Sequence, residues 1–150
     1  MHLADFYSPD NISVDLQARG KDEILAELVG LLHLDERSND TLLRILQRRE
    51  TLGSTGVGRG IAIPHCRSLV VNRVRLAYGH HKQGVEFQAI DNRPVFDFFL
   101  IVAPPLEVSN QYLPILGRIA QFAKDADIPE RLARLQTADD FLRLLGEKGV

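Results

Sequence analysis

Tryptophan is absent from this chain of 150 residues, and cysteine and methionine occur once each. A single thiol, Cys66, excludes an internal disulfide. Basic charge is not in excess: the net charge is -2 and the pI about 6.2. That leaves no electrostatic footprint for nucleic acid, which needs clustered cations. No apolar run approaches the roughly 20 residues that cross a bilayer, so no direct membrane insertion is expected. The amino end, MHLADFYSPD, lacks a basic segment followed by an apolar one, so no secretory signal is expected. These absences together point to a reducing, cytoplasmic setting.

What is present suits a packed domain. Hydrophobic residues make up 45% and charged residues 25%, and the length fits one domain spanning residues 1–150. Residues 22–34 place Ile24, Leu25, Leu28, Val29, Leu31 and Leu32 at helical spacing, with Asp22 and Glu23 at the positive helix end. Ser38, Asn39 or Asp40 is expected to cap a second helix, TLLRILQRRE, which ends against a glycine-rich stretch. Ile61-Ala62-Ile63 reads as a short buried strand, residues 74–78 as an alternating one, and residues 95–102, VFDFFLIV, as a strand covered on both faces. Phe96, Phe98 and Phe99 are expected in the core. A helix over 113–124 takes Pro114 in its first turn, a short one covers 129–135, and Thr137 with Asp140 forms a capping box for a last helix ending near Gly146. Helices around short strands predict an α/β fold, a three-layer helix/sheet/helix sandwich.

The stretch GSTGVGRGIAIPHCRS carries the chemistry. Gly53, Gly56, Gly58 and Gly60 fall within eight positions, directly before Pro64-His65. Gly53 and Gly58 match the spacing of a nucleotide-binding P-loop, but Arg59-Gly60 stands where lysine and a hydroxyl residue are required, and the stretch follows a helix rather than a strand. Two readings stay open on the residues alone. The glycines and Pro64 serve a tight connection, and His65 is an ordinary polar residue at a strand end. Alternatively, His65 is a phosphoryl acceptor: neutral imidazole is a competent nucleophile, and closely spaced glycines, the Ser54 and Thr55 hydroxyls and the Arg49 guanidinium are donors for phosphoryl oxygens.

The order Arg49-Glu50-Thr51-Leu52-Gly53-Ser54-Thr55-Gly56, then Gly60-Ile61-Ala62-Ile63-Pro64-His65, resembles the active-site signature of phosphotransferase-system EIIA domains of the fructose–mannitol class, most of all the free-standing nitrogen-related regulators. Gly84 to Val95, GVEFQAIDNRPV, agrees with it. The resemblance implies a mixed central sheet with helices on both faces. It implies that His65 takes a phosphoryl group from a phosphorylated histidine carrier protein, that Arg49 is the active-site arginine, and that Gly53, Ser54, Thr55 and Gly56 line the phosphoryl position. Nε2 is the nitrogen expected to be modified. No cofactor is implied. Sugar-transporting members pass the group to an EIIB domain, while nitrogen-related members regulate protein targets, including a transporter or a kinase. One departure stands out: Tyr112 occupies the place where the class commonly carries a second histidine. A phenol donates one hydrogen bond but is no cation near neutral pH. This leaves a binding-only domain of the same fold as the runner-up.

Other candidates read as structural. His80 and His81 point to opposite faces of a strand, so they do not share a metal, and they are expected as polar residues at the sheet rim. His33 is expected at a helix carboxyl end. No metal site is expected. Cys66 reads as an idle, buried thiol, and the mixed charges of residues 125–148 as a solvated helical face.

Overall fold

The computed structural model describes residues 2–150. Two 3-10 turns, Leu3–Phe6 and Pro9–Asn11, lead into strand β1 (Ile12–Ser13); helices α1 (Lys21–Gly30) and α2 (Glu36–Thr51) follow. Four strands come next, β2 (Gly56–Gly58), β3 (Ile61–Ala62), β4 (His65–Arg67) and β5 (Arg75–Val85), then β6 (Val95–Ala103). Helices α3 (Tyr112–Lys124), α4 (Ile128–Ala133) and α5 (Ala138–Lys148) close the chain. The six strands form one sheet in the order β1-β5-β6-β3-β2, with β4 also paired to β6. Strands β3 and β4 run parallel to β6, and β5 runs antiparallel, so the sheet is mixed.

β6 divides two cores. Phe99, Ile101 and Ala103 face α3, α4 and α5, whereas Phe98, Leu100 and Val102 face α1 and α2. This is the expected helix/sheet/helix sandwich, with apolar side chains on both faces of the central strand.

Several boundaries differ from the sequence expectation. α2 starts at Glu36, because Asp35 caps it: its Oδ1 accepts from the Ser38 amide at 2.8 Å. α1 ends at Gly30, and His33 has φ 56, which no helix continues through; its Nε2 lies 2.8 Å from the Asp10 carbonyl, outside the helix. The Thr137–Asp140 capping box forms as expected, but α5 runs on to Lys148, and Gly149 at φ 68 stops it. Phe96 is half-buried, not core like Phe98 and Phe99.

The largest correction concerns His80 and His81. They lie inside the long strand β5, each about 5% exposed, and not at a polar rim. His80 stands opposite Asp97 in the strand register, and its Nδ1–H donates to Asp97 Oδ1 at 2.7 Å. The Tyr78 hydroxyl donates to the same oxygen at 2.7 Å. The one carboxylate of the apolar strand β6 therefore fixes a buried polar cluster, which borders a cavity of about 400 Å³ with Arg59, Lys82 and Phe96.

Candidate functional site

His65 opens β4, and its neighbours in the chain orient it. Pro64 has no N–H, so pairing with β6 breaks between β3 and β4. Its carbonyl accepts from the Ile101 amide at 2.9 Å. The Ile63 carbonyl lies against the half-buried imidazole and accepts from Nδ1 at 2.6 Å. A carbonyl only accepts, so the proton sits on Nδ1, and Nε2 keeps its lone pair.

Arg49, in the last turn of α2, donates from Nη1 to the Gly53 carbonyl at 2.8 Å and so lies over the loop. Tyr112, at the start of α3, places its ring centroid 6.0 Å from that of His65. Burial pushes its phenol up to about 12; the Cys66 thiol adds to the rise, while the Arg67 and Arg49 guanidiniums oppose it. Arg49, from one helical layer, is thus held on the glycine loop, and Tyr112, from the other, stands beside the His65 imidazole.

The loop itself is braced inward. Ser54 Oγ donates to the Phe87 carbonyl at 2.9 Å and accepts from the Gly56 amide at 3.0 Å. Thr55 is buried; its amide donates to Glu50 Oε1 at 3.1 Å and its hydroxyl to Glu50 Oε2. Glu50 is buried as well and pairs with Lys21 at 3.0 Å. The Ser54 and Thr55 hydroxyls donate to protein acceptors and hold the loop's shape. Among the described residues, Ser54 alone in the run Gly53–Gly56 has an amide without a protein acceptor.

The glycine density has two mechanical causes. A Cβ on Gly56 would stand 2.7 Å from the Ala89 Cβ, so only glycine lets these segments touch. Gly58 and Gly60, at φ 96 and 78, flank Arg59 at φ 59 in the tip of the β2–β3 hairpin, whose first strand, β2, the sequence had presented as loop. Among the described residues, no group of three His, Cys, Asp or Glu side chains is placed to hold a metal ion, and no helix is long and apolar enough to cross a membrane.

A profile of the family described as "Phosphoenolpyruvate-dependent sugar phosphotransferase system, EIIA 2" matches residues 5–148. The chain belongs to this family. A nitrogen regulatory protein of Pseudomonas aeruginosa is 31% identical over 97% of this chain and 95% of its own length. The fructose-specific EIIABC component of Bacillus subtilis is 26% identical over 98% of this chain, which spans 23% of that longer protein. The crystal structure of nitrogen regulatory protein IIA-Ntr from Neisseria meningitidis superposes with a TM-score of 0.85 at 28% identity, covering 95% of this chain and 98% of that one.

Two features of this EIIA domain escape the sequence signature. The first is Arg67, which ends β4 on the same face as His65; its guanidinium carbon lies 4.6 Å from the Tyr112 ring centroid, and Nη1 donates to the Pro104 carbonyl at 2.7 Å. The strand alternation that would have revealed it was hidden, because His65-Cys66-Arg67 carries no apolar period. The second is a set of exposed leucines. Leu52, Leu69, Leu106 and Leu113, within two positions in sequence of Gly53, Arg67, Pro105 and Tyr112, are 64–87% exposed.

Proposed function

We propose that this EIIA protein accepts a phosphoryl group on Nε2 of His65 from a phosphorylated histidine carrier protein, and that its phosphorylation state governs its binding to a protein target such as a transporter or a kinase. One observation carries the reading: Nδ1–H is committed to the Ile63 carbonyl, so the lone pair on Nε2 is the one available for attack. That lone pair forms the new P–N bond in line with the carrier's own P–N bond, which breaks; the carrier imidazole leaves with its electron pair. Arg49 would supply the cation that charge on the equatorial oxygens needs, and the Nη1 bond that holds it to the Gly53 carbonyl supports that role.

Phosphorylation adds about two negative charges beside the exposed leucines, and a change of that size reverses the preference of a docking partner. Exposed leucines near the site's segments suit a protein surface that must bring its own histidine close. The full-length likeness to nitrogen regulatory proteins supports a regulatory output over sugar uptake. A second reading rests on the neutral, buried Tyr112: partner binding without phosphoryl transfer. Incubation with a phosphorylated carrier separates the two. The acceptor reading expects acid-labile, alkali-stable phosphate on the wild type and none on His65→Ala. An unlabelled wild type in the presence of a competent carrier establishes the binding-only reading.

A further inference from the structure

A phosphoryl group on His65 brings about two negative charges to a place where position 112 supplies none. The Tyr112 phenol is neutral across physiological pH and offers one hydrogen bond. Arg49 is one cation at the site, with Nη1 already on the Gly53 carbonyl.

A second cation is built into the same strand as the nucleophile. Arg67 follows His65 by two positions on β4, so both side chains leave one face of the sheet, while the buried Cys66 between them enters the opposite core. Same-face neighbours on a strand are about 6.6 Å apart, a gap that one guanidinium and one phosphoryl group fill. The guanidinium is already positioned. It lies 4.6 Å from the Tyr112 ring centroid, and one N–H is tied to the Pro104 carbonyl at 2.7 Å. Arginine has five N–H donors. The other four have no protein acceptor among the described residues. A half-buried cation with donors to spare, beside an imidazole whose Nε2 is free, matches the needs of a phosphoryl dianion.

The geometry points to Arg67 as the second phosphoryl-binding cation of the site, held on the face of Tyr112, whose ring acts as a plate for the guanidinium and supplies no charge. This rests on the phosphoryl-acceptor reading above. Arg67 then carries charge that a titratable side chain at position 112 would otherwise have to provide.

The test measures transfer from a phosphorylated carrier to His65 and the hydrolysis half-life of the phosphoprotein once formed. Arg67→Ala is expected to slow transfer on the order of 100-fold and to shorten the half-life. Arg67→Lys restores part of both, because charge returns without the planar fork. Tyr112→Phe keeps the plate and removes one neutral donor, so it is expected to slow transfer less than Arg67→Ala does. The double variant Arg67→Ala/Tyr112→His regains transfer at pH 6, where the new imidazole is charged, more than at pH 8; a merely structural Arg67 gives no such pH-dependent recovery. If Arg67→Ala does not fold, as judged by circular dichroism, Arg67→Met keeps the stem over Tyr112 and takes its place. Wild-type rates and half-life in the Ala or Met variant overturn the assignment while the acceptor reading stands. An unlabelled wild type removes both.

Discussion

Replacing Glu50 with alanine asks what keeps the glycine loop in position. The carboxylate is 9% exposed, accepts from the Thr55 amide and hydroxyl, and pairs with Lys21 at 3.0 Å. Alanine leaves two buried donors on Thr55 without an acceptor, at about 1–3 kcal/mol each. Lys21, with 18% of its side chain exposed, turns to water, so its lost ion pair adds little. The expected loss is about 3–4 kcal/mol, which in a domain of this size lowers the melting temperature by roughly 6–16 °C. The loop also loses its fixed relation to Arg49, whose Nη1 bonds the Gly53 carbonyl, so phosphoryl uptake falls on the order of 10-fold or more. Scanning calorimetry with a transfer assay reads both effects. Thr55→Val, which removes only the hydroxyl, should cost about 1 kcal/mol. A Glu50→Ala protein that melts within about 2 °C of wild type and is labelled at the wild-type rate would refute the bracing role, since even one stranded donor costs more than that.

Three further outcomes follow from particular contacts. Asp97 Oδ1 accepts from both Tyr78 and His80; Asp97→Asn keeps that oxygen and should cost about 1 kcal/mol, whereas Asp97→Ala strands both donors at about 3–5 kcal/mol, compared by urea unfolding. Burial pushes the Cys66 thiol from 9.0 up to about 12. The folded state therefore holds its proton longer than the unfolded state, stability from this group is complete below pH 9, and it falls between pH 9 and 12 by up to about 1.4 kcal/mol per unit. Urea midpoints at pH 8 and pH 10.5 should show that decline flattened in Cys66→Ala; parallel declines would acquit the thiol. Gly56→Ala drives a methyl to 2.7 Å from the Ala89 Cβ and 2.9 Å from its Cα, so about 1–3 kcal/mol is lost, and Ala89→Gly recovers only part because the backbone atom remains.

Local signals in the chain were read well where they are self-sufficient. The apolar run of β6 and the Thr137 capping box need no distant partner to be recognised, and the signature that marks Arg49 and His65 is contiguous. What escaped depends on pairing. β2 and β4 are short, rich in glycine or polar residues, and become strands only because β3 and β6 supply their hydrogen bonds. The second half of β5, HHKQGV, looks like a rim until Asp97 in the facing strand gives His80 a buried partner. The lone carboxylate in VFDFFLIV was the available sign, since a charge in a covered strand requires a counterpart. Ser54 and Thr55 were placed in the right loop, but their hydroxyls turn inward because Glu50 and the Phe87 carbonyl compete for them. Arg67 was missed because the recognisable motif stops at His65.

The two hydrophobic layers meet only across the sheet, and the proposed phosphoryl site draws on both: Arg49 comes from the α2 side, Tyr112 from the α3 side, and His65 from the strand between them. Neither layer alone assembles a competent centre. On the proposed function, a molecule with one flank detached would offer a carrier an imidazole stripped of its cation or of its plate, so uptake of phosphate would report that both flanks are in place.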